Sequence, residues 1–149
     1  MAIRLKAKSY GPLTVVSGPG DALTFRTEGG YSGVGARTPG PAGLSPSDLL
    51  LASLGSCILI SARMAADEMG LDLGETSSSV RGSKALDLPH RLSQITVELR
   101  GTAISNWSSH QIEELRQRTK ALCTVSNTLS AEVVLTISAL TQPPLAVPS

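Results

Sequence analysis

Only two residues in this sequence carry thiols, Cys57 and Cys123, and they stand 66 positions apart. A thiolate is the strongest nucleophile among ordinary side chains and can be oxidised reversibly, so any covalent or redox chemistry starts with these two. Cys57 is flanked by small residues in Leu54-Gly55-Ser56-Cys57, with Leu50, Ser53, Leu54 and Ser61 on its helical face. Read alone, it suits a small buried hydrophobe, the commonest role of a free cysteine. Gly55 speaks for more, because a mid-helix glycine costs about 1 kcal/mol against alanine and marks a close approach. Cys123 lies at a helix end, before the polar run Thr124-Val125-Ser126-Asn127-Thr128. A thiol starting a new helical turn has its thiolate favoured, while a buried cap residue fits the same local pattern equally well.

The other candidates are weaker. His90 and His110 are distant in sequence and lack metal-ligand spacing, so no metal site is expected. Gly30-Tyr31-Ser32-Gly33-Val34-Gly35 runs into a Pro/Gly loop rather than a helix, which removes a phosphate cradle. Ser45, Ser47 and Ser53 lack the nucleophile elbow of a serine hydrolase, leaving one built with His90 or His110 a distant outsider.

The elements that must position the thiols follow from periodicity. Residues 2–9, 13–17, 22–27 and 30–36 read as short strands separated by Gly/Pro turns, an antiparallel meander. Residues 37–44, with two prolines and two glycines, form a loop. Ser45 as N-cap, Pro46 at the first helical position and Asp48 as a capping-box variant open a helix to about Met69, with Gly70 beyond its end. Its first four turns are apolar or small on every side, which calls for burial all round. Residues 76–84 and 91–100 form two longer strands around a turn at Asp87, Pro89 and His90. In the second, Ser93, Ile95, Val97 and Leu99 alternate with Leu92, Gln94, Thr96, Glu98 and Arg100. A second helix starts near Ser108, with Gln111 completing a capping box and Ile112, Leu115 and Leu122 facing inward, and ends about Cys123. Residues 132–140 form the last strand, and the Pro-rich tail from Gln142 frays.

Segregated strands and helices define an α+β class, with one domain over 1–141. At 149 residues a chain buries roughly 68–70% of its unfolded surface, enough for a core without disulfide staples. Aromatics are 3%, so that core is aliphatic. A net charge of +1 and few stacking rings argue against a nucleic-acid partner. The apolar run over 49–62 is short for a bilayer and interrupted by serines and a glycine, and the start reads as a strand rather than a secretory signal. No membrane is expected, and the location expected is cytoplasmic. A helix apolar all round needs more cover than one small sheet gives, which points to a dimer.

Ser45-Pro46-Ser47-Asp48-Leu49-Leu50-Leu51-Ala52-Ser53-Leu54-Gly55-Ser56-Cys57, followed by Cys123-Thr124-Val125-Ser126-Asn127-Thr128-Leu129, resembles the OsmC/Ohr family (osmotically inducible protein C and organic hydroperoxide resistance protein). Pro89-His90-Arg91 leading into Ile95-Thr96-Val97-Glu98-Leu99 is also similar. The similarity covers roughly residues 1–140, with the distinctive motifs in 43–140. It implies an intertwined homodimer, antiparallel sheets wrapped around two buried helices, and an active site at the subunit interface. It further implies a thiol peroxidase for organic hydroperoxides, without cofactor. Cys57 would attack peroxide, Cys123 would resolve the sulfenic acid as a disulfide, and an external dithiol would restore both. The family's thiolate is held by an arginine, for which Arg37 is preferred over Arg26 and Arg91. The carboxylate expected ten residues before Cys57 is replaced by Ser47, and Thr124 stands where proline is usual. Asp48, nine residues before Cys57, is half a turn out of phase and reads as a capping carboxylate. These departures place the chain nearest the broader OsmC-like branch. They keep open a non-catalytic alternative, a stress-associated binding or redox-sensing dimer.

Overall fold

The computed structural model describes residues 8–20, 22–88 and 90–141, which fall into two compact units divided between Leu49 and Leu50. In the first unit, β1 (Leu13–Ser17), β2 (Ala22–Thr27) and β3 (Ser32–Ala36) form an antiparallel meander in the order β1-β2-β3. Val15 pairs with Phe25, and Phe25 with Gly33. The turn between β2 and β3 closes on Thr27, whose hydroxyl accepts the Tyr31 N–H at 3.1 Å. After β3 the chain folds back so that Leu44 bridges Gly35, with the Ala36 N–H donating to the Leu44 carbonyl at 3.0 Å. The strand expected over 2–9 falls mostly outside the described residues, and its last two, Lys8 and Ser9, form no strand.

α1 (Pro46–Glu68) begins where its capping residues predict. The Asp48 carboxylate accepts both the Ser45 N–H (2.9 Å) and the Ser45 hydroxyl (2.7 Å), while the Asp48 N–H donates to the Ser45 hydroxyl at 3.2 Å. These bonds hold the Asp48 carboxyl below its usual range. At the other end Gly70 adopts φ +68°, the left-handed conformation that glycine takes without steric cost. The Leu71 N–H then reaches the Ala66 carbonyl (2.9 Å) and the Gly70 N–H the Asp67 carbonyl (3.0 Å), a Schellman closure.

The second unit carries the rest: β4 (Thr76–Lys84), β5 (Leu92–Gly101), a 3-10 turn (Ile104–Asn106), α2 (Ser109–Leu122), α3 (Thr124–Thr128) and β6 (Glu132–Ala139). Its sheet runs β4-β5-β6. β4 and β5 pair antiparallel as expected, but β5 and β6 pair parallel, with Ile95 opposite Val133 and Val97 opposite Leu135. This corrects the expectation of purely antiparallel sheets. The cause is the connection: a crossover through the 3-10 turn, α2 and α3 is long enough to return the chain in the same direction, which a tight turn cannot do. Strand alternation on β5 is as read, with Ile95, Val97 and Leu99 fully buried.

The core of this unit joins those three to Leu54, Ile58, Ala62, Ala65 and Ala66 of α1, Leu115 of α2, and Val133 and Leu135 of β6. The α1 residues recur at three- and four-residue spacing, one stripe of the helix. Burial is therefore one-sided within the chain, where all-round burial was expected; Ile60 and Met64 are 63% and 51% exposed. A single three-stranded sheet can cover only one face of a helix. α1 spans 23 residues and holds a stretch with a mean hydropathy of 1.8, so by length and composition alone it could cross a bilayer. Its stripe nonetheless belongs to the core.

α2 opens on the expected capping box: the Ser108 hydroxyl accepts the Gln111 N–H (3.2 Å) and the Gln111 side chain accepts the Ser108 N–H (2.8 Å). Its fully buried residues are Leu115 and Thr119, and Ile112 is half-buried. Leu122, expected inward, is exposed because the helix ends on it and Cys123 takes the buried place.

Gly55 shows the close approach inferred for it. A Cβ there would lie 2.9 Å from both Ser78 Oγ and Val80 Cγ2 on β4. Gly55→Val should overpack this contact and destabilise by about 1–3 kcal/mol. Urea unfolding should report it as a lower midpoint with unchanged slope, whereas an unchanged midpoint would mean that β4 yields freely.

Candidate functional site: a cysteine pair with opposed acidities

Cys57 sits in the middle of α1, half-buried, and Cys123 is fully buried at the corner between α2 and α3. The fold brings the two thiols close enough for each to bear on the other's acidity, and neither is in a disulfide. Local hydrogen bonds fix the corner. The Cys123 N–H donates to the Thr119 carbonyl at 3.1 Å, completing α2, and its carbonyl accepts the Asn127 N–H at 3.0 Å, starting α3. The Asn127 side chain reaches back to the Ala121 carbonyl (3.1 Å), tying α3 to the last turn of α2. Cys123 thereby caps both helices, and its sulfur accepts the Ser126 N–H at 3.4 Å.

The two sulfurs differ in acidity for separate physical reasons. Burial pushes the Cys57 thiol up, but donors outweigh it: the Val125 amide, the Cys123 thiol, the Ser61 hydroxyl and the Thr124 amide together bring it below its ordinary 9.0. Cys123 goes the other way. Burial, joined by its contact with the Cys57 sulfur, pushes it up to about 11 against the lowering effect of the Ser126 and Val125 amides. Of the two readings left open for Cys123, the buried cap residue describes its place, and the helix-start amides act on the thiol but are outweighed by burial. At neutral pH Cys123 keeps its proton, and Cys57 is the more readily ionised partner. Such a pair can attack an electrophile through Cys57 and then close a disulfide.

The roles of three donors were not legible in the sequence. Ser61 lies one turn along α1 from Cys57, a spacing visible beforehand but without sign that its hydroxyl meets the sulfur. The amides of Thr124 and Val125 have no sequence signal as donors, since any residue other than proline carries one.

Arg91 pairs with Asp87 at the β4–β5 turn, 3.4 Å apart and exposed. Arg26 is exposed on β2, and Arg37 follows β3 in the first unit, lining a cavity of about 200 Å³ with Ser17, Gly20, Leu23 and Pro46. The lowering influences on Cys57 named above are hydrogen bonds from Val125, Cys123, Ser61 and Thr124.

Residues 38–138 match the family model of the OsmC-like proteins, spanning both cysteine segments. The chain belongs to the OsmC-like family. Solved structures agree on the fold. An OsmC-like protein from Mycoplasma pneumoniae superposes with a TM-score of 0.80 at 18% identity, covering 90% of this chain and 99% of that one. An organic hydroperoxide resistance protein OsmC from Legionella pneumophila gives 0.66 at 16% identity, covering 89% and 98%. The organic hydroperoxide resistance protein OhrB of Bacillus subtilis gives 0.59 at 18% identity, covering 87% and 98%. No curated protein matches the sequence.

Proposed function

We propose that this protein is a thiol-dependent peroxidase that reduces organic hydroperoxides. The single observation that supports this reading most is the Cys57–Cys123 contact, with one thiol held below and the other above ordinary acidity. The Cys57 thiolate attacks the distal oxygen of ROOH. The O–O bond breaks, the alkoxide leaves and takes a proton as ROH, and Cys57 becomes a sulfenic acid. The Cys123 sulfur then displaces the sulfenic oxygen, its proton leaving with that oxygen as water, and a disulfide forms. An external dithiol reduces it by thiol–disulfide exchange, becoming a disulfide itself and returning two protons and two electrons to the protein. Such turnover suits a reducing compartment such as the cytoplasm.

The working form proposed is a homodimer, for which the exposed Ile60 and Met64 of α1 supply an apolar surface. The family resemblance gives Arg37 the part of the guanidinium that favours thiolate and peroxide. Purified protein with a dithiol should consume tert-butyl or cumene hydroperoxide in preference to hydrogen peroxide, and Arg37→Gln should lower kcat/KM about tenfold or more. Absence of hydroperoxide-dependent dithiol oxidation by the wild type would overturn the reading.

One observation favours the redox-sensing alternative. Ser47 stands where a carboxylate would orient an arginine, and the neighbouring Asp48 is engaged with Ser45 at the helix start. A sensor would form the same disulfide but turn over no faster than free cysteine.

A further inference from the structure

Three serines stand within four residues of Cys57 along α1, and they behave differently. Ser53 donates to the Leu50 carbonyl at 2.8 Å and Ser56 to the Ala52 carbonyl at 2.7 Å, so both exposed hydroxyls are satisfied by their own helix. Ser61 is only 3% exposed and is followed in the core by Ala62, Ala65 and Ala66. An alanine at 61 would suit both the helix and the apolar surroundings better, because a buried hydroxyl is costly without a partner. Its position one turn beyond Cys57 puts the two side chains side by side on one face.

We propose that Ser61 is a positioning residue for Cys57: its hydroxyl donates to the Cys57 sulfur and turns it toward the amides of Thr124 and Val125. The inference rests on the proposed function, in that Cys57 is the attacking thiol, and deepens it by naming what aims and activates that thiol. Ser61, the two amides and the Cys123 thiol make a donor set around one sulfur from α1 and from the α2–α3 corner. Cys123 is the titratable group of that set. Arg63, two residues further along α1, is directed away, donating to the Gly74 carbonyl (3.3 Å) and the Thr76 hydroxyl (3.2 Å).

The test is the pH profile of Cys57 alkylation by iodoacetamide, with the labelled site identified by peptide mass spectrometry. In Ser61→Ala the midpoint should move to higher pH, and the rate at pH 7 should fall about three- to tenfold, the value of one hydrogen bond. Ser61→Thr and Ser61→Val have the same shape, and only threonine keeps the hydroxyl. Threonine should therefore retain the wild-type midpoint while valine follows alanine. An unchanged midpoint in Ser61→Ala, or equal displacement in the threonine and valine variants, would overturn the assignment. Peroxide consumption by the wild type is measured separately, so failure of the peroxidase reading shows there and leaves the alkylation comparison to judge Ser61.

Discussion

Cys57→Ser should lower dithiol-supported consumption of tert-butyl hydroperoxide on the order of a thousandfold or more, to the background of the dithiol alone. A serine oxygen stays protonated at neutral pH and cannot pass through a sulfenic acid, so both the attack and the oxidised intermediate are lost. The substitution is nearly isosteric, and its hydroxyl can still accept from the Val125 and Thr124 amides that face the Cys57 sulfur. The variant should therefore fold, with a thermal midpoint close to that of the wild type. Cys123→Ser separates the two roles: it should consume about one equivalent of peroxide and then stop, with Cys57 accumulating as sulfenic acid. Equal turnover by the wild type and Cys57→Ser would remove Cys57 from the chemistry.

The second large effect is the pH at which each thiol becomes reactive. Alkylation follows the thiolate, and Cys57 lies below 9.0 whereas Cys123 is pushed up to about 11. At pH 8 more than about a tenth of Cys57 is ionised against about one Cys123 in a thousand, a contrast of at least roughly a hundredfold. Iodoacetamide at pH 8 should thus mark Cys57, and Cys123 should become reactive only toward pH 11 or on unfolding. The same displacement has a stability consequence. The raised Cys123 favours the fold below its unfolded value, and that contribution is lost as pH rises from about 9 through 11. The depressed Cys57 has the opposite sign, its contribution present above its unfolded value and lost as pH falls through the folded one. Labelling of both cysteines at the same rate at pH 8 would contradict this ordering.

Local chemistry made much of this architecture legible. Ser45, Pro46 and Asp48 mark where α1 begins, Gly70 marks where it ends, and the Ser108–Gln111 box marks the start of α2. All three depend only on backbone groups within a few residues. The strands at 13–17, 22–27 and 76–84 coincide with β1, β2 and β4. Pairing was not legible in the same way. The alternation of β5 identifies its buried face but says nothing of its neighbour's direction, so the parallel β6 appears only once the α2–α3 crossover is seen. Burial behaved likewise. The composition of α1 predicts an apolar cylinder, whereas its cover is supplied by tertiary partners that leave Ile60 and Met64 exposed.

The site divides along the same line. Both cysteines stand out as the only thiols, and the segments around them carry the family resemblance that joined them. What each thiol does depends on surroundings that local sequence does not encode: the burial of Cys123, the amides of Thr124 and Val125, and the direction of the Ser61 hydroxyl. At Cys123 the helix start supplies amide donors as its local sequence implies, but the burial that outweighs them comes from the tertiary corner.

Peptide mapping after one equivalent of tert-butyl hydroperoxide is the most direct measurement. The reduced protein would be treated without added dithiol, alkylated under denaturing conditions and digested without reduction. The account predicts one intramolecular Cys57–Cys123 bond per chain and no thiol left to alkylate. Recovery of Cys123 as a free thiol beside an oxidised Cys57, or of disulfides linking separate chains, would contradict it.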